Sequence, residues 1–139
     1  MKKTIQWLIL ALVLIEIIVV AFWLVYPYKL IDFKNSPFPV LNENLTVKSG
    51  DRMSYLIDYC KYTDEMPRVI KYFVDGVVLE INTVDGVLEK GCHKTVLDVY
   101  IPRAIAASSY SVKIVATFKP NPIREIKYVT KTLNFTVVK

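Results

Sequence analysis

Histidine occurs once in this sequence, cysteine twice and glycine four times among 139 residues. With one imidazole, His93, no Ser-His-Asp or Cys-His arrangement can be assembled elsewhere, and His93 reads as a loop residue beside a cysteine rather than as a base. Four scattered glycines cannot form a phosphate-cradling loop. Cys60 and Cys92 lack C-x-x-C spacing, so one chain cannot build a tetrahedral zinc site from them and His93. Asp58, Asp64, Glu65 and Asp75 do not follow a calcium-loop spacing. No catalytic, cofactor-binding or metal-ligating residue is therefore expected, nor a cofactor or a small-molecule substrate.

What the chain does have is one long apolar run, residues 7–26, WLILALVLIEIIVVAFWLVY. Fourteen of these residues are Leu, Ile, Val or Phe. Each favours insertion by roughly 0.3 to 0.6 kcal/mol, against a few kcal/mol for one ionised acid near the centre. At about 1.5 Å per residue the run is about 30 Å long, the thickness of a bilayer core. Trp7 at one end and Trp23, Tyr26 and Tyr28 at the other lie where aromatic belts lie, and Pro27 ends the helix. A cleaved signal peptide is the competing reading. It would have a shorter apolar core and a small-residue cleavage site, whereas FWLVYPYKL follows here. Residues 1–27 are accordingly expected to be a transmembrane anchor. Lys2 and Lys3 favour a cytoplasmic N-terminus, although Lys29 and Lys34 on the far side keep the asymmetry modest.

Within the run, Glu16 departs from its surroundings, flanked at helical spacing by Leu12, Val13, Val19 and Val20. An intramembrane acid is a site of partner contact, met by a cation or donor from another helix, or else a protonated carboxyl tolerated among apolar neighbours. No small-xxx-small pattern supports close self-dimerisation.

The remainder is rich in Val, Ile, Tyr, Phe and Thr, which favours strands. Residues 28–43, with Pro37 and Pro39, read as a stiff linker, and residues 44–139 as one domain. Strands are expected at 44–48, 53–62, 68–74, 77–81, 94–101, 109–119 and 125–138. Met53, Tyr55, Ile57 and Tyr59 share a face. Tyr110, Val112, Ile114, Ala116 and Phe118 do so in the cleanest alternation of the chain. Asp75-Gly76 is a strong hairpin signal, Asp85-Gly86 a second turn, and Lys119-Pro-Asn-Pro122 a reversal. In the last strand Leu133, Phe135 and Val137 are expected to point inward. About seven strands without a soluble helix give an all-β domain, an immunoglobulin-like β-sandwich behind one transmembrane helix. Tyr110 stands where a tyrosine corner would open the sixth strand.

A disulfide is the simplest pairing of Cys60 with Cys92, in the second strand and in the loop before the fifth. Closing about 32 residues would stabilise the domain by roughly 3 to 4 kcal/mol. The alternative is two unpaired thiols in a cytoplasmic domain. A disulfide would place the domain in an oxidising compartment, periplasmic or extracellular.

Net charge is +5, unevenly spread. Residues 103–139 hold seven basic residues and one acid, Glu125. Lys113, Lys119, Arg124, Lys127 and Lys131 form a candidate patch for anionic partners, lipid headgroups before nucleic acid. The plainer alternative is a solvated strand surface or a blunted sheet edge. Sequons at Asn44 and Asn134 would matter only in a eukaryotic secretory pathway.

Ser49-Gly50-Asp51, Asp58-Tyr59-Cys60-Lys61, Gly91-Cys92-His93, Ile101-Pro102, Tyr110, residues 121–124 and Thr132-x-x-Phe135-x-Val137 together resemble a known group. It comprises small single-span or secreted immunoglobulin-like proteins common in bacteriophage and environmental bacterial genomes. The resemblance implies an extracytoplasmic domain with an internal disulfide, and carries no reaction. The expected function is non-enzymatic: a recognition or assembly module in an envelope or phage-related complex. Its partners would be membrane lipid and other membrane-protein subunits, met through the helix and the sheet edges. A phage-encoded factor interfering with a host membrane component is the alternative, and a membrane-tethered hydrolase a remote one.

Overall fold

In a computed structural model, residues 2–75, 77–81 and 88–139 are described. Helix α1 spans Lys2–Val25, an uninterrupted series of helix-compatible apolar residues that stops two positions before Pro27. Its described side chains are exposed, apart from a half-buried Trp23, so no face of the helix is spent on the protein's own core.

Everything after α1 is strand and turn. Strands β1 (Ile31–Phe33), β2 (Thr46–Lys48), β3 (Arg52–Lys61), β4 (Arg68–Asp75), β5 (Val77–Ile81), β6 (Gly91–Tyr100), β7 (Ser108–Asn121), β8 (Arg124–Lys131) and β9 (Phe135–Val138) form two sheets. The smaller has the order β1-β3-β6, antiparallel throughout. In the larger the order is β2-β9-β7-β4-β5, with β8 also on β7. One edge of β7 takes β4; along the other, β9 and β8 lie end to end. Pairing in this sheet is antiparallel except between β2 and β9, which run parallel. The inner faces of both sheets meet in one core that includes Met53, Tyr55, Ile57 and Tyr59 from β3 and Tyr110, Val112, Ile114, Ala116 and Phe118 from β7. Both period-two faces are thus where the alternation puts them. The turn before β3 uses Gly50 at φ +91, a left-handed conformation that a side chain would strain.

Nine strands among the described residues replace the seven expected, for two reasons. First, residues 28–43 are not a linker. They supply β1, and Leu30, Ile31, Phe38 and Val40 are buried in the core. Val40 bridges Tyr55 in the smaller sheet and Phe38 bridges Thr132 in the larger, so this segment crosses from one sheet to the other. Pro37 and Pro39 fit there because the bonds come from their neighbours: Phe38 N–H donates to the Lys131 carbonyl at 2.8 Å, and Leu133 N–H to the Phe38 carbonyl at 2.8 Å. Second, the last strand is broken. Thr132, 1% exposed, turns inward and its Oγ1 accepts from Val112 N–H at 3.0 Å, while Leu133 turns out and is 41% exposed. Leu133 therefore does not join Phe135 and Val137 in the core. The first expected strand also starts later, at Thr46, because Asn44 and Leu45 adopt positive φ in a short 3₁₀ turn.

The β4–β5 pair brackets the Asp75-Gly76 signal through the Asp75↔Val77 register, but Gly76 itself and the Asp85-Gly86 turn lie outside the described residues. At the other reversal Pro120 remains inside β7, beside an irregularity between Phe118 and Asn121, and the turn is Pro122-Ile123. Cys92 lies in β6, not in a loop, directly opposite Cys60 of β3, and the two form a disulfide.

Candidate functional site

Three places were expected to matter: Glu16, the cysteine pair and the C-terminal basic residues. Glu16 is exposed midway along α1, and among the described residues no side chain or backbone group pairs with it. Leu12, Val13, Val19 and Val20 around it are exposed as well.

The disulfide joins adjacent strands of the smaller sheet, so it pins the β3–β6 ladder rather than tying one sheet to the other. His93, expected in a loop, is in β6 opposite Tyr59; its Nε2 donates to the Lys90 carbonyl at 2.9 Å and its ring tilts against Tyr59 at 5.8 Å. Tied to a carbonyl, this nitrogen is not presented as a base. Among the described residues no group of three or more His, Cys, Asp or Glu side chains gathers as a metal would require.

Sheet register sorts the basic residues. Lys113 of β7 lies opposite Lys131 of β8, and Thr117 lies between Lys127 of β8 and Arg68 of β4. These side chains share the outer face of the larger sheet, because the alternate residues Val112, Ile114, Ala116 and Phe118 fill the core. Between the two basic rows runs an aliphatic one, Val129, Val115 and Ile70, with Val129 60% exposed. Like charges directly opposite across a ladder repel, so the Lys113–Lys131 pair is a local electrostatic cost that a bound anion would relieve. Arg68 was missing from the sequence-based patch because it lies in the charge-balanced part of the chain; only the β4–β7 register brings it there.

Lys119 and Arg124 serve elsewhere. Lys119 pairs with Glu125 at 3.0 Å, and that hydrogen-bonded ammonium holds the Glu125 carboxyl below the ordinary glutamate range. The Lys119 N–H also donates to the Glu65 carboxylate. Arg124 opens β8 at the tip of the β7–β8 hairpin, and its Nη1 donates to the Tyr26 carbonyl at 2.6 Å. Beside it, Asn121 Nδ2 donates to the Trp23 carbonyl at 3.0 Å. The last carbonyls of a helix have no partner within it, and a cation near that end is favoured by the helix dipole. The β domain thus caps α1. Rings complete the contact: Tyr26 packs on Phe22 at 5.0 Å and Tyr28 at 4.8 Å, and the Arg124 guanidinium lies 5.8 Å from the Tyr28 ring.

Two polar side chains sit in the interior. Lys71 faces inward from β4, buried, with Nζ 5.8 Å from the Tyr55 ring. Burial, with a smaller contribution from Asp98, pushes the Tyr55 hydroxyl far above the ordinary tyrosine range. A cavity of about 30 Å³ lies beside them, lined by Phe33, Phe38, Ile57, Leu97 and others. That volume is enough for about one water molecule and too small for an organic ligand.

No protein-family model matches the sequence, and no match is found among curated proteins. Chemically, the surfaces on the page are adhesive ones: a basic and aliphatic sheet face, an apolar helix with a lone carboxylate, and a clasp between hairpin and helix.

Proposed function

We propose that the chain is a single-span membrane protein, N-terminus in the cytoplasm, that presents a non-enzymatic recognition or assembly domain on the extracytoplasmic side as one subunit of a larger envelope or phage-related complex. The observation that carries this reading is α1. A 24-residue helix, apolar all round and almost wholly exposed, has the length and chemistry of a bilayer span. Its one acid, Glu16, has no partner among the described residues. A second helix supplying a donor or cation at that depth would satisfy it. Support for the extracytoplasmic side comes from the Cys60–Cys92 disulfide, since such bonds persist in oxidising compartments.

For the domain itself we favour an immunoglobulin-like sandwich. Two sheets of this order, a parallel β2–β9 edge pair and the central β7 support it. So does the Tyr110 hydroxyl, which opens β7 and donates to the Ala106 carbonyl at 3.0 Å, the bond of a tyrosine corner. The adjacent-strand disulfide departs from the antibody pattern.

The test compares full-length wild type with Glu16→Leu after cross-linking in native membranes and extraction in mild detergent. Loss of a defined cross-linked species from the variant, with expression and disulfide formation unchanged, is expected. Identical cross-linked species in both proteins would refute the partner role of Glu16.

A further inference from the structure

The hairpin that caps α1 does so at two levels. Arg124 bonds the Tyr26 carbonyl, and Asn121 bonds that of Trp23, three residues or about 4.5 Å nearer the centre of the apolar run. The Asn121–Arg124 turn therefore lies alongside the final turn of the helix. If α1 spans a bilayer, that turn of Trp and Tyr is the interfacial one. The two residues at the tip match the same setting. Pro122 is exposed, and Ile123, a large aliphatic side chain, is 49% exposed with its N–H already satisfied by Asn121 Oδ1 at 3.1 Å. Arg124 spends one of its five donors on the Tyr26 carbonyl, which leaves others for an anionic oxygen at the same height.

We infer that the β7–β8 turn is a second membrane contact, with Pro122 and Ile123 embedded at the headgroup–acyl boundary and Arg124 at the level of the lipid phosphates. The inference rests on the reading of α1 as a span, and it specifies what that reading leaves open. The domain is not free to swing on its anchor; it is fixed against the bilayer at the hairpin tip.

Depth-dependent fluorescence quenching tests it. Full-length protein is reconstituted into vesicles of phosphatidylcholine and phosphatidylglycerol carrying brominated acyl chains, brominated either near the headgroup or near the chain end. Wild type reports on Trp7 and Trp23. In a Trp7→Phe, Trp23→Phe background, Ile123→Trp places the sole indole at the tip, and Val129→Trp places it on the exposed sheet face about 17 Å along β8. Both positions are exposed, so neither substitution disturbs the core. The expected result is strong quenching of Trp at position 123 by the shallow bromines, weaker quenching by the deep ones, and none at position 129. Quenching of the wild-type tryptophans without quenching at position 123 would overturn the second contact while leaving the span intact. Absence of quenching in the wild type as well would overturn the span itself.

Discussion

Reduction of the Cys60–Cys92 bond offers the sharpest quantitative test of how the domain is stabilised. The two residues are separated by 32 positions, and the closed loop contains β4 and β5. In the chain-entropy model a loop of that size removes about 12 cal/mol/K from the unfolded ensemble, or about 4 kcal/mol at 25 °C. For a domain of roughly 110 residues, 1 kcal/mol corresponds to about 3 to 6 °C in Tm, so reduction should lower Tm by roughly 10 to 20 °C. Cys60 is buried but Cys92 is exposed, so a small thiol reductant can reach the bond without unfolding the protein. The assay is near-ultraviolet circular dichroism of the full-length protein in mild detergent, melted with and without reductant, with alkylation to confirm two free thiols. The Cys60→Ser, Cys92→Ser double variant should reproduce the reduced melt. A fall of less than about 3 °C would refute the loop-closure account. It would mean that the ten-residue β3–β6 register, in which Cys60 and Cys92 are already opposed, restrains the unfolded chain as much as the covalent bond does.

Three further outcomes follow from buried groups. Phe38 is 1% exposed and packs on Tyr55 and Phe33, so Phe38→Ala should cost about 3 to 5 kcal/mol in chemical denaturation; a loss under about 1 kcal/mol would return residues 28–43 to the status of a linker. Tyr110→Phe removes the bond to the Ala106 carbonyl and should cost about 0.5 to 1.5 kcal/mol, measured the same way, with the m-value unchanged. Tyr55 governs alkaline behaviour. Its folded pKa is raised above the unfolded value of about 10, so its contribution is complete below pH 10 and is lost as pH rises beyond it, by on the order of 1 kcal/mol per pH unit. Stability of Tyr55→Phe, followed by denaturant midpoint across that range, should lack this component of the alkaline decline; equal slopes in both proteins would exclude it.

The strand faces were legible because they are local. Period two in 110–118 and in 53–59 is a property of each segment alone, and burial follows from it. Errors arose where a distant partner decided. Nothing in the polar, proline-containing stretch 28–43 shows that Phe38 will bridge Thr132, 94 positions away, and alternation alone ranks Leu133 above Thr132 for the core. Only the hydrogen bonds offered by Val112 and Phe38 reverse that ranking. The same holds for the surfaces. Lys113, Lys127 and Lys131 were found by counting charge, but Arg68 joins them through register, and Arg124 leaves them for a helix end 98 positions earlier. The lone carboxylate and the long apolar run needed no partner to be seen.

The parallel pairing of β2 with β9 also governs when the fold can close. Thr46 meets Thr136 and Lys48 meets Val138, so β2 waits about 90 residues for the strand that covers its edge. At synthesis rates of about 5 to 20 residues per second, that interval is roughly 5 to 18 s. Throughout it the larger sheet lacks its closing strand and Val47 lacks its cover, while α1 emerged long before. Pairings of such long sequence separation form late and slowly. A ribosomal pause before residue 135 would therefore hold an open sheet edge beside an exposed apolar helix, the combination most prone to pairing with a neighbouring chain.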